Sequence, residues 1–234
     1  MKNYPTFILL TNLLVIILLV NSLFVNTIAY AAPQETQLNT IGEKPELNIS
    51  NTKKTQILLL GDSISAGYGM KPHQGWVHLL NQTLEQKKQA YTIINASVSG
   101  ETTSGGLSRL TGILANRNID HLLIELGGND GLRGYSPKKI KKNLLQMIKI
   151  AQEKNIKVSM MQIKITPNYG PRYNKMFEQI FIDVAKESNI TLLPFFMEVV
   201  ATNSSLMQAD GIHPNAKAQP IIADYVEKQL AELF

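Results

Sequence analysis

Residues 56–63 of the chain read QILLLGDS, and this stretch decides the fold class. The apolar run from Ile57 to Leu60 is too short for a helix and stops at Gly61, so it predicts a short, fully buried strand. Asp62 and Ser63 follow at once, which puts two polar side chains at the carboxyl end of that strand. A buried strand that runs into a polar turn is typical of the first unit of an α/β domain.

The rest of the chain alternates short apolar runs with segments of helical periodicity. Further strands are predicted over 91–96, 121–126, 158–163 and 191–193. Helices are predicted over 75–88, 104–115, 137–154, 173–188 and 219–233. Strands separated in this way by helices predict a parallel sheet of five strands with helices on both faces, a three-layer α/β/α domain. In such a sheet the ligand binds at the carboxyl ends of the strands.

The N-terminus predicts an export signal. Lys2 precedes an apolar run from Phe7 to Val25, and small residues in Ala29-Tyr30-Ala31 occupy the two positions that a signal peptidase reads. We therefore expect a signal peptide over residues 1–31, cleaved near Ala31. An uncleaved membrane anchor is the alternative, because the apolar run is long enough to span a bilayer.

The segment after the predicted cleavage site differs in composition from the remainder. Residues 32–54 are rich in Gln, Glu, Asn, Thr and Lys with scattered Pro, which predicts a disordered spacer. Residues 55–234 are then left as one domain, long enough for one well-buried core.

The composition excludes several kinds of site. The 234 residues include no cysteine, which excludes disulfides, thiolate metal sites, a cysteine nucleophile and a lipid-modified N-terminal cysteine. Histidine occurs only 4 times, so an imidazole base has few candidates. The net charge is +5, and Lys2 is the only charge in the first 31 residues. A mature charge of about +4 does not require an anionic partner, and we expect no nucleic acid.

Polar motifs recur at the carboxyl ends of the predicted strands. Gly61-Asp62-Ser63 follows the first strand, residues 97–101 (SVSGE) the second and residues 127–131 (GGNDG) the third, and residues 210–213 (DGIH) lie near the C-terminus. Each motif alone fits an ordinary turn or helix cap. Together they bring a hydroxyl, a glycine amide, a carboxamide and a His with a carboxylate to one edge of the sheet. Acyl transfer needs these parts: a nucleophile, oxyanion donors and an oriented base.

These motifs resemble those of the SGNH hydrolases, also called the GDSL esterase and lipase superfamily. Within it, the sequence is most similar to the periplasmic thioesterase–lysophospholipase–arylesterase group, from Gln56 to the C-terminus. The segments that carry the resemblance are ILLLGDSISAGYGM, INASVSGETT, IELGGNDGLRGYSP, MQIKITPNYGPRYN, LLPFFMEVV and DGIHPNAKAQP. The sequence departs from the family pattern at Ile64, where Leu is usual, and at Glu101, where Asp is common. The resemblance implies a flavodoxin-like SGNH hydrolase fold.

Five site residues follow from the resemblance, each on a matching motif. Ser63 is implied as the nucleophile and His213 as the general base, oriented by Asp210. The oxyanion hole is implied to consist of the backbone N–H groups of Ser63 and Gly100 and the Asn129 carboxamide. These roles agree with the chemistry, because a serine hydroxyl needs a base at neutral pH and a carboxamide can donate without ionising.

The resemblance also implies the substrate class: acyl esters and thioesters such as acyl-CoA, lysophospholipids and aryl esters. An apolar groove beside Ser63 is then expected for the acyl chain. Residues that follow the carboxyl-end loops are the candidates for substrate contacts, namely Tyr68, Leu132, Tyr135, Ile165, Pro167 and Tyr169. An O-acetyl esterase acting on carbohydrate or cell-wall material remains the alternative, because the same catalytic groups serve both reactions.

Two other classes of function fit the sequence less well. A nucleotide-binding protein would need a Gly-Lys-Ser/Thr or a complete glycine fingerprint, and the loop over 61–69 has neither. A non-catalytic secreted module would have no reason to carry nucleophile, oxyanion donors, base and orienting carboxylate together.

Expectations about partners are correspondingly simple. We expect no cofactor and no metal, a small acyl ester or thioester as substrate, a monomer, and by resemblance a bacterial periplasmic location reached across the inner membrane. Transient contact with membrane lipids stays open. The basic run over 138–142 (KKIKK) fits either a solvated helix face or attraction to anionic headgroups.

Overall fold

The computed structural model describes residues 53–234 of the chain. The predicted signal peptide over 1–31, and the predicted spacer over 32–54 apart from its last two residues, lie outside the described residues. The strands are Thr55–Gly61 (β1), Tyr91–Asn95 (β2), His121–Glu125 (β3), Lys157–Met161 (β4) and Thr191–Leu193 (β5). The helices are Ser63–Ala66 (α1), Trp76–Gln86 (α2), Thr103–Ala115 (α3), Gly128–Leu132 (α4), Pro137–Gln152 (α5), Pro171–Ser188 (α6) and Gln219–Ala231 (α7).

The predicted strands and long helices are confirmed, with ends that differ by two residues at most. The short helices α1 and α4 were not predicted, because four and five residues are too few to show a helical period. Within residues 53–234, none of the helices is long and apolar enough to cross a membrane.

The sheet has the strand order β2-β1-β3-β4-β5, and every neighbouring pair is parallel. After β1 the chain turns to one side to form β2, then crosses back to form β3 on the other side of β1. This reversal opens a crevice at the carboxyl ends of β1 and β3, where doubly wound proteins bind ligands. Gly61 pairs with Glu125 at the last position of that ladder, so the segments after the two strands start level with each other.

Strand β1 explains why the sheet is covered on both faces. Ile57 and Leu59 belong to one core cluster with residues of α2 and α7. Leu58 and Leu60 belong to the other, with residues of α3, α5 and α6. All four side chains have no exposed surface, and burying each contributes about 1.5–3 kcal/mol. The α/β/α sandwich predicted from the sequence is therefore confirmed.

Gly61 closes β1 directly below the candidate nucleophile. A Cβ at this position would come within 2.5 Å of Glu125 Oε2 and 2.7 Å of Ser97 Oγ. Any larger residue would push these side chains away, so glycine permits the close approach of β1, β3 and the loop after β2.

Candidate active site

Ser63 is the first residue of α1 and lies immediately beyond the end of β1. The Asp62 carboxylate caps this short helix by accepting a hydrogen bond from the Ile64 N–H at 3.0 Å. Gly67 ends the helix in the left-handed conformation, with φ of 75°. The Ser63 side chain is thereby held on a tight strand-to-helix turn, and only 9% of the residue is exposed.

Ser63, His213 and Asp210 form one hydrogen-bonded chain. The Ser63 hydroxyl oxygen lies 2.9 Å from His213 Nε2, although the two residues are 150 positions apart in sequence. His213 Nδ1 lies 2.6 Å from Asp210 Oδ2. The structure thus brings together the three side chains that the sequence assigned to nucleophile, base and orienting acid. In this order, neutral His213 can accept the serine proton only at Nε2.

The Asp210 carboxylate is also tied to its own loop. Its Oδ1 accepts the backbone N–H groups of Ile212 at 2.9 Å and His213 at 3.0 Å. The backbone and side-chain hydrogen bonds from His213 lower the pKa of Asp210 from 3.8 to about 2. Asp210 is therefore an anion throughout the neutral range, as an acid that stabilises an imidazolium has to be.

The loop that carries His213 is bonded to the turn that follows α1. Gln208 connects them: its backbone N–H donates to the His213 carbonyl at 2.7 Å, and its side-chain amide donates to the Tyr68 carbonyl at 2.9 Å. The ring of Tyr68 lies 4.5 Å from that of His213, measured between centroids. These contacts join the His213 loop to the segment directly after Ser63.

The three donors that the sequence predicts for an oxyanion hole are the Gly100 N–H, the Ser63 N–H and the Asn129 amide, and each has a hydrogen to spare. Gly100 has φ of +78°, a conformation that favours glycine, and its N–H donates to no acceptor in the described residues. The N–H of Ser63 begins a helix and has no partner within it. Asn129 donates one amide hydrogen to Asp62 Oδ2 at 3.3 Å, which turns its NH₂ group rather than its carbonyl toward Asp62 and leaves a second hydrogen for a ligand.

A mostly apolar cavity of about 460 Å³ opens beside Ser63. Its walls come from the segments after β1, β3, β4 and β5 and from the His213 loop. The predicted contact residues Leu132, Ile165 and Pro167 line it. Apolar residues that the sequence analysis did not select also line it, namely Ile64, Ile163, Phe195, Phe196, Met197, Ala201, Met207 and Ile212.

The chain is similar to known proteins over most of its length. The GDSL-like lipase/acylhydrolase family matches residues 59–220, most of the chain. This chain belongs to that family. An arylesterase of Vibrio mimicus is 44% identical over 186 residues, which are 80% of this chain and 93% of that protein. Thioesterase 1/protease 1/lysophospholipase L1 of Escherichia coli K12 is 46% identical over 177 residues, 76% of this chain and 84% of that protein.

The fold of this acylhydrolase also matches solved structures. The psychrotrophic esterase EstA from Pseudoalteromonas sp., in a structure inhibited by monoethylphosphonate, superposes with a TM-score of 0.76 at 44% identity. That match covers 77% of this chain and 98% of EstA. The sequence resemblance to the GDSL superfamily is therefore confirmed.

A buried pair of carboxyl groups, Asp62 and Glu125, lies at the Ser63 turn of this GDSL family member. Glu125 Oε2 accepts from the Ser65 hydroxyl at 2.7 Å and from the Asp62 N–H at 3.1 Å. Burial raises the pKa of Asp62 from 3.8 to about 6. Burial, and then the neighbouring Asp62, raise the pKa of Glu125 well above its usual range. Both carboxyl groups therefore hold a proton to higher pH than an exposed acid does, and each is kept in place by its own donors.

Three predicted contact residues lie outside the cavity walls. Tyr68 is half exposed and covers His213. Tyr135 is exposed, with the Lys139 ammonium 5.4 Å from its ring centroid. Tyr169 donates its hydroxyl to the Leu132 carbonyl at 2.6 Å, so it braces a cavity wall from behind. Because these tyrosines follow strand ends, their positions in the sequence correctly predicted the edge of the sheet at which they lie. The sequence did not predict the direction in which their rings point.

The residues missed by the sequence analysis cluster after β5. Phe195, Phe196 and Met197 belong to the motif LLPFFMEVV, which was used for the resemblance and not for the site. Their position after a predicted strand end was the signal that could have found them. Among residues 53–234, no group of three His, Asp or Glu side chains is placed to hold a metal ion.

Proposed function

We propose that this acylhydrolase is a serine esterase that hydrolyses acyl esters and thioesters through an acyl-enzyme. The observation that carries the proposal is the hydrogen-bonded chain Ser63–His213–Asp210 at the mouth of an apolar cavity. The names of its relatives, arylesterase and thioesterase 1/lysophospholipase L1, support the same class of substrate.

In the first half-reaction Ser63 Oγ attacks the acyl carbonyl while His213 Nε2 takes the hydroxyl proton. The charge that develops on the carbonyl oxygen is stabilised by the N–H groups of Ser63 and Gly100 and by the Asn129 amide. Asp210 stabilises the imidazolium that forms. When the tetrahedral intermediate collapses, the bond to the leaving oxygen or sulfur breaks and His213 gives its proton to that atom.

In the second half-reaction His213 takes a proton from water, whose oxygen attacks the acyl-enzyme carbonyl. The same donors stabilise the second intermediate. Its collapse breaks the bond to Ser63 Oγ, returns the proton to the serine and releases the carboxylic acid. Every group needed for both steps comes from one chain, which supports our proposal that the protein acts as a monomer.

The cavity favours medium or long acyl chains over acetate. Its volume of about 460 Å³ falls in the range of drug-sized ligand sites, about 300–1,000 Å³, whereas an acetyl group would leave most of it unfilled. Its apolar walls suit methylene groups and offer few partners for a sugar hydroxyl. An O-acetyl esterase would instead need a small closed pocket, so we favour the acyl esterase.

Ser63→Ala tests the nucleophile. The variant should fold, lose stoichiometric labelling by a fluorophosphonate probe and lose nearly all esterase activity. Ser65→Ala is the matched control: Ser65 is two residues away, but its hydroxyl is buried and bonded to Glu125, so this variant should still be labelled. Labelling that persists in Ser63→Ala and disappears in Ser65→Ala would assign the reaction to the other serine.

A series of aryl esters tests the substrate class. Each methylene buried in the cavity contributes about 0.8 kcal/mol, or up to about fourfold in kcat/KM if the contact persists in the transition state. Activity should therefore rise from acetate to roughly six carbons or more, then level off where the cavity ends. A series that peaks at acetate and collapses at butyrate would replace this proposal with the deacetylase while leaving the role of Ser63 intact.

We also propose that the protein is exported. The predicted signal peptide covers residues 1–31, which lie outside the described residues. We propose cleavage near Ala31, a periplasmic mature protein, and a single catalytic domain over 55–234. N-terminal sequencing of the mature protein should begin near Ala32. Recovery of Met1 on membrane-bound protein would instead identify an uncleaved anchor.

A further inference from the structure

Arg133 occupies a position beside the candidate oxyanion hole that the proposed mechanism does not use. It caps the C-terminal end of α4, where its backbone N–H donates to the Asn129 carbonyl at 3.2 Å. Its guanidinium reaches across to the other loop of the hole, and Nη2 donates to the Gly100 carbonyl at 3.3 Å. The side chain is exposed. A fixed positive charge therefore borders the place where the substrate ester would lie.

The charge of Arg133 is not neutralised locally. Within residues 53–234, no carboxylate oxygen lies within 4.0 Å of its guanidinium. The nearest acidic residue of the Gly100 loop, Glu101, is already engaged by Arg109 at 2.6 Å. Lys138 and Lys139 follow on the first turn of α5, and both are exposed. The Arg133 guanidinium is therefore an exposed cation with no carboxylate partner in the described residues, and it can bind an anion.

The guanidinium is also accessible and has donors to spare. A Cβ placed on Gly100 would meet only Arg133 Nη2, at 3.9 Å, and one placed on Gly134 would meet nothing within 4 Å. Space is therefore open over the Gly100 Cα, next to the guanidinium, and Arg133 itself is exposed. Arginine has five N–H donors, and one bond to Gly100 leaves a free edge that matches the paired oxygens of a phosphate.

The sheet order indicates which part of a substrate would reach Arg133. The cavity proposed for the acyl chain is walled mainly by the segments after β3, β4 and β5, whereas Gly100 follows β2 on the other side of β1. With its acyl chain in the cavity and its carbonyl at Ser63, an ester directs its leaving group away from the cavity. Arg133 is not among the residues that line the cavity, and its guanidinium lies at the Gly100 carbonyl, outside the acyl site.

We propose that Arg133 binds a phosphate in the leaving group of the substrate and makes the enzyme selective for esters whose phosphate lies a few bonds from the ester oxygen. The inference rests on the proposed esterase function and names its substrate class. A lysophospholipid meets the requirement, because only the glycerol carbons separate its ester from its phosphate. In acyl-CoA the phosphates lie beyond the long pantetheine arm, and a monoacylglycerol has no phosphate.

The test compares lysophospholipid and monoacylglycerol of the same acyl chain, both below their micellar concentrations. Arg133→Gln should lower kcat/KM for the lysophospholipid by about tenfold, the order expected for one charge-assisted, paired contact. Activity on the monoacylglycerol and on a matched aryl ester should stay within about twofold, since the oxyanion donors are unchanged. Arg133→Lys should give a kcat/KM for the lysophospholipid between those of the unmodified enzyme and Arg133→Gln. Lysine keeps the positive charge but lacks the paired N–H donors of the guanidinium. Added salt should reduce the preference for lysophospholipid in the unmodified enzyme but not in Arg133→Gln.

Arg117→Gln is the matched control, because Arg117 is exposed in the loop before β3, at the opposite edge of the sheet. It should leave the ratio of the two activities unchanged. Equal losses on lysophospholipid and monoacylglycerol in Arg133→Gln would overturn the proposal and give Arg133 a role in shaping the Gly100 loop. If Arg133→Gln lost as much activity on acyl-CoA as on the lysophospholipid, the proposal that the phosphate must lie a few bonds from the ester would be wrong. Absence of esterase activity in the unmodified enzyme on every substrate would be a failure of the proposed function itself.

Discussion

The Asp130 carboxylate accepts two hydrogen bonds from Thr103, one from its backbone N–H at 2.8 Å and one from its hydroxyl at 2.6 Å. Neither residue has any exposed surface. Asp130 directly follows Asn129, and Thr103 opens α3 three residues after Gly100. This buried pair therefore ties together the two loops that supply the outer donors of the candidate oxyanion hole.

Asp130→Asn should damage both stability and catalysis. The new amide group has only one oxygen, so its NH₂ group would face one of the two donors of Thr103. Loss of a buried hydrogen bond to a carboxylate lowers the free energy of unfolding by about 3 kcal/mol. We expect a lower free energy of unfolding in urea, and a lower kcat rather than a higher KM because the separation of Gly100 and Asn129 changes. Thr103→Ser keeps both donors and should stay close to the unmodified enzyme. A stable Asp130→Asn variant with normal kcat would show that the loops hold their places without this pair.

Asn129→Ala should lower kcat by roughly 10²–10³ with a smaller change in KM. The amide would bind the developing oxyanion more strongly than the ground-state carbonyl, so its loss appears mainly in the transition state. Steady-state kinetics on one aryl ester separates the two parameters. A variant changed only in KM would assign Asn129 to substrate binding.

Asp210→Asn should cost several orders of magnitude in kcat, on the order of 10⁴, and leave the fold intact. The amide cannot stabilise the imidazolium of His213, and it can hold the ring in the wrong tautomer. Hydrogen bonds from His213 lower the pKa of Asp210 to about 2, so Asp210 is an anion in the unmodified enzyme at the assay pH, and the loss is measured as kcat on one aryl ester at pH 7 to 8. Asp224→Asn, an exposed site on α7, is the control. A near-normal Asp210→Asn enzyme would remove Asp210 from the mechanism.

Asp62 should make stability depend on pH in the mildly acidic range. Burial raises its pKa from 3.8 to about 6, so between these values the folded state binds more protons than the unfolded state. Stability therefore falls as pH rises through this window, because ionisation is disfavoured only in the folded protein. Asp62→Asn removes this ionisation. The free energy of unfolding should then fall by on the order of 2 to 3 kcal/mol less between pH 4 and pH 7 than it does in the unmodified protein.

Urea unfolding at intervals from pH 4 to pH 7 measures that decline. The variant can be less stable at pH 4, since it replaces an acceptor for Ile64 and Asn129, and the comparison therefore uses slopes and not absolute values. Parallel curves for the two proteins would mean that Glu125 alone carries the pH dependence.

Much of the fold could be predicted because burial of the strands and helices produces local patterns of apolar residues in the sequence. The run Ile57–Leu60 is apolar at every position because both faces of β1 are buried there, and Pro171–Ser188 is amphipathic because only one side of α6 is buried. The short helices α1 and α4 produce no such pattern. A segment of four or five residues shows no period, and their conformations depend on the cap of Asp62 and on the packing of β1 against β3.

By itself, the sequence determined the strand-helix alternation, the edge of the sheet where the ligand would lie, and the identity of Ser63, Gly100, Asn129, Asp210 and His213 as candidates. These are properties of local patterns and short motifs, and residues a few positions apart can encode them. Only the tertiary structure decided the 2.9 Å approach of His213 to Ser63, the cavity wall after β5, the outward position of Tyr135 and the Asp130–Thr103 tie. Each of these depends on side chains that are distant in the chain and meet only when the helices pack on both faces of the sheet, and no local pattern records where they meet.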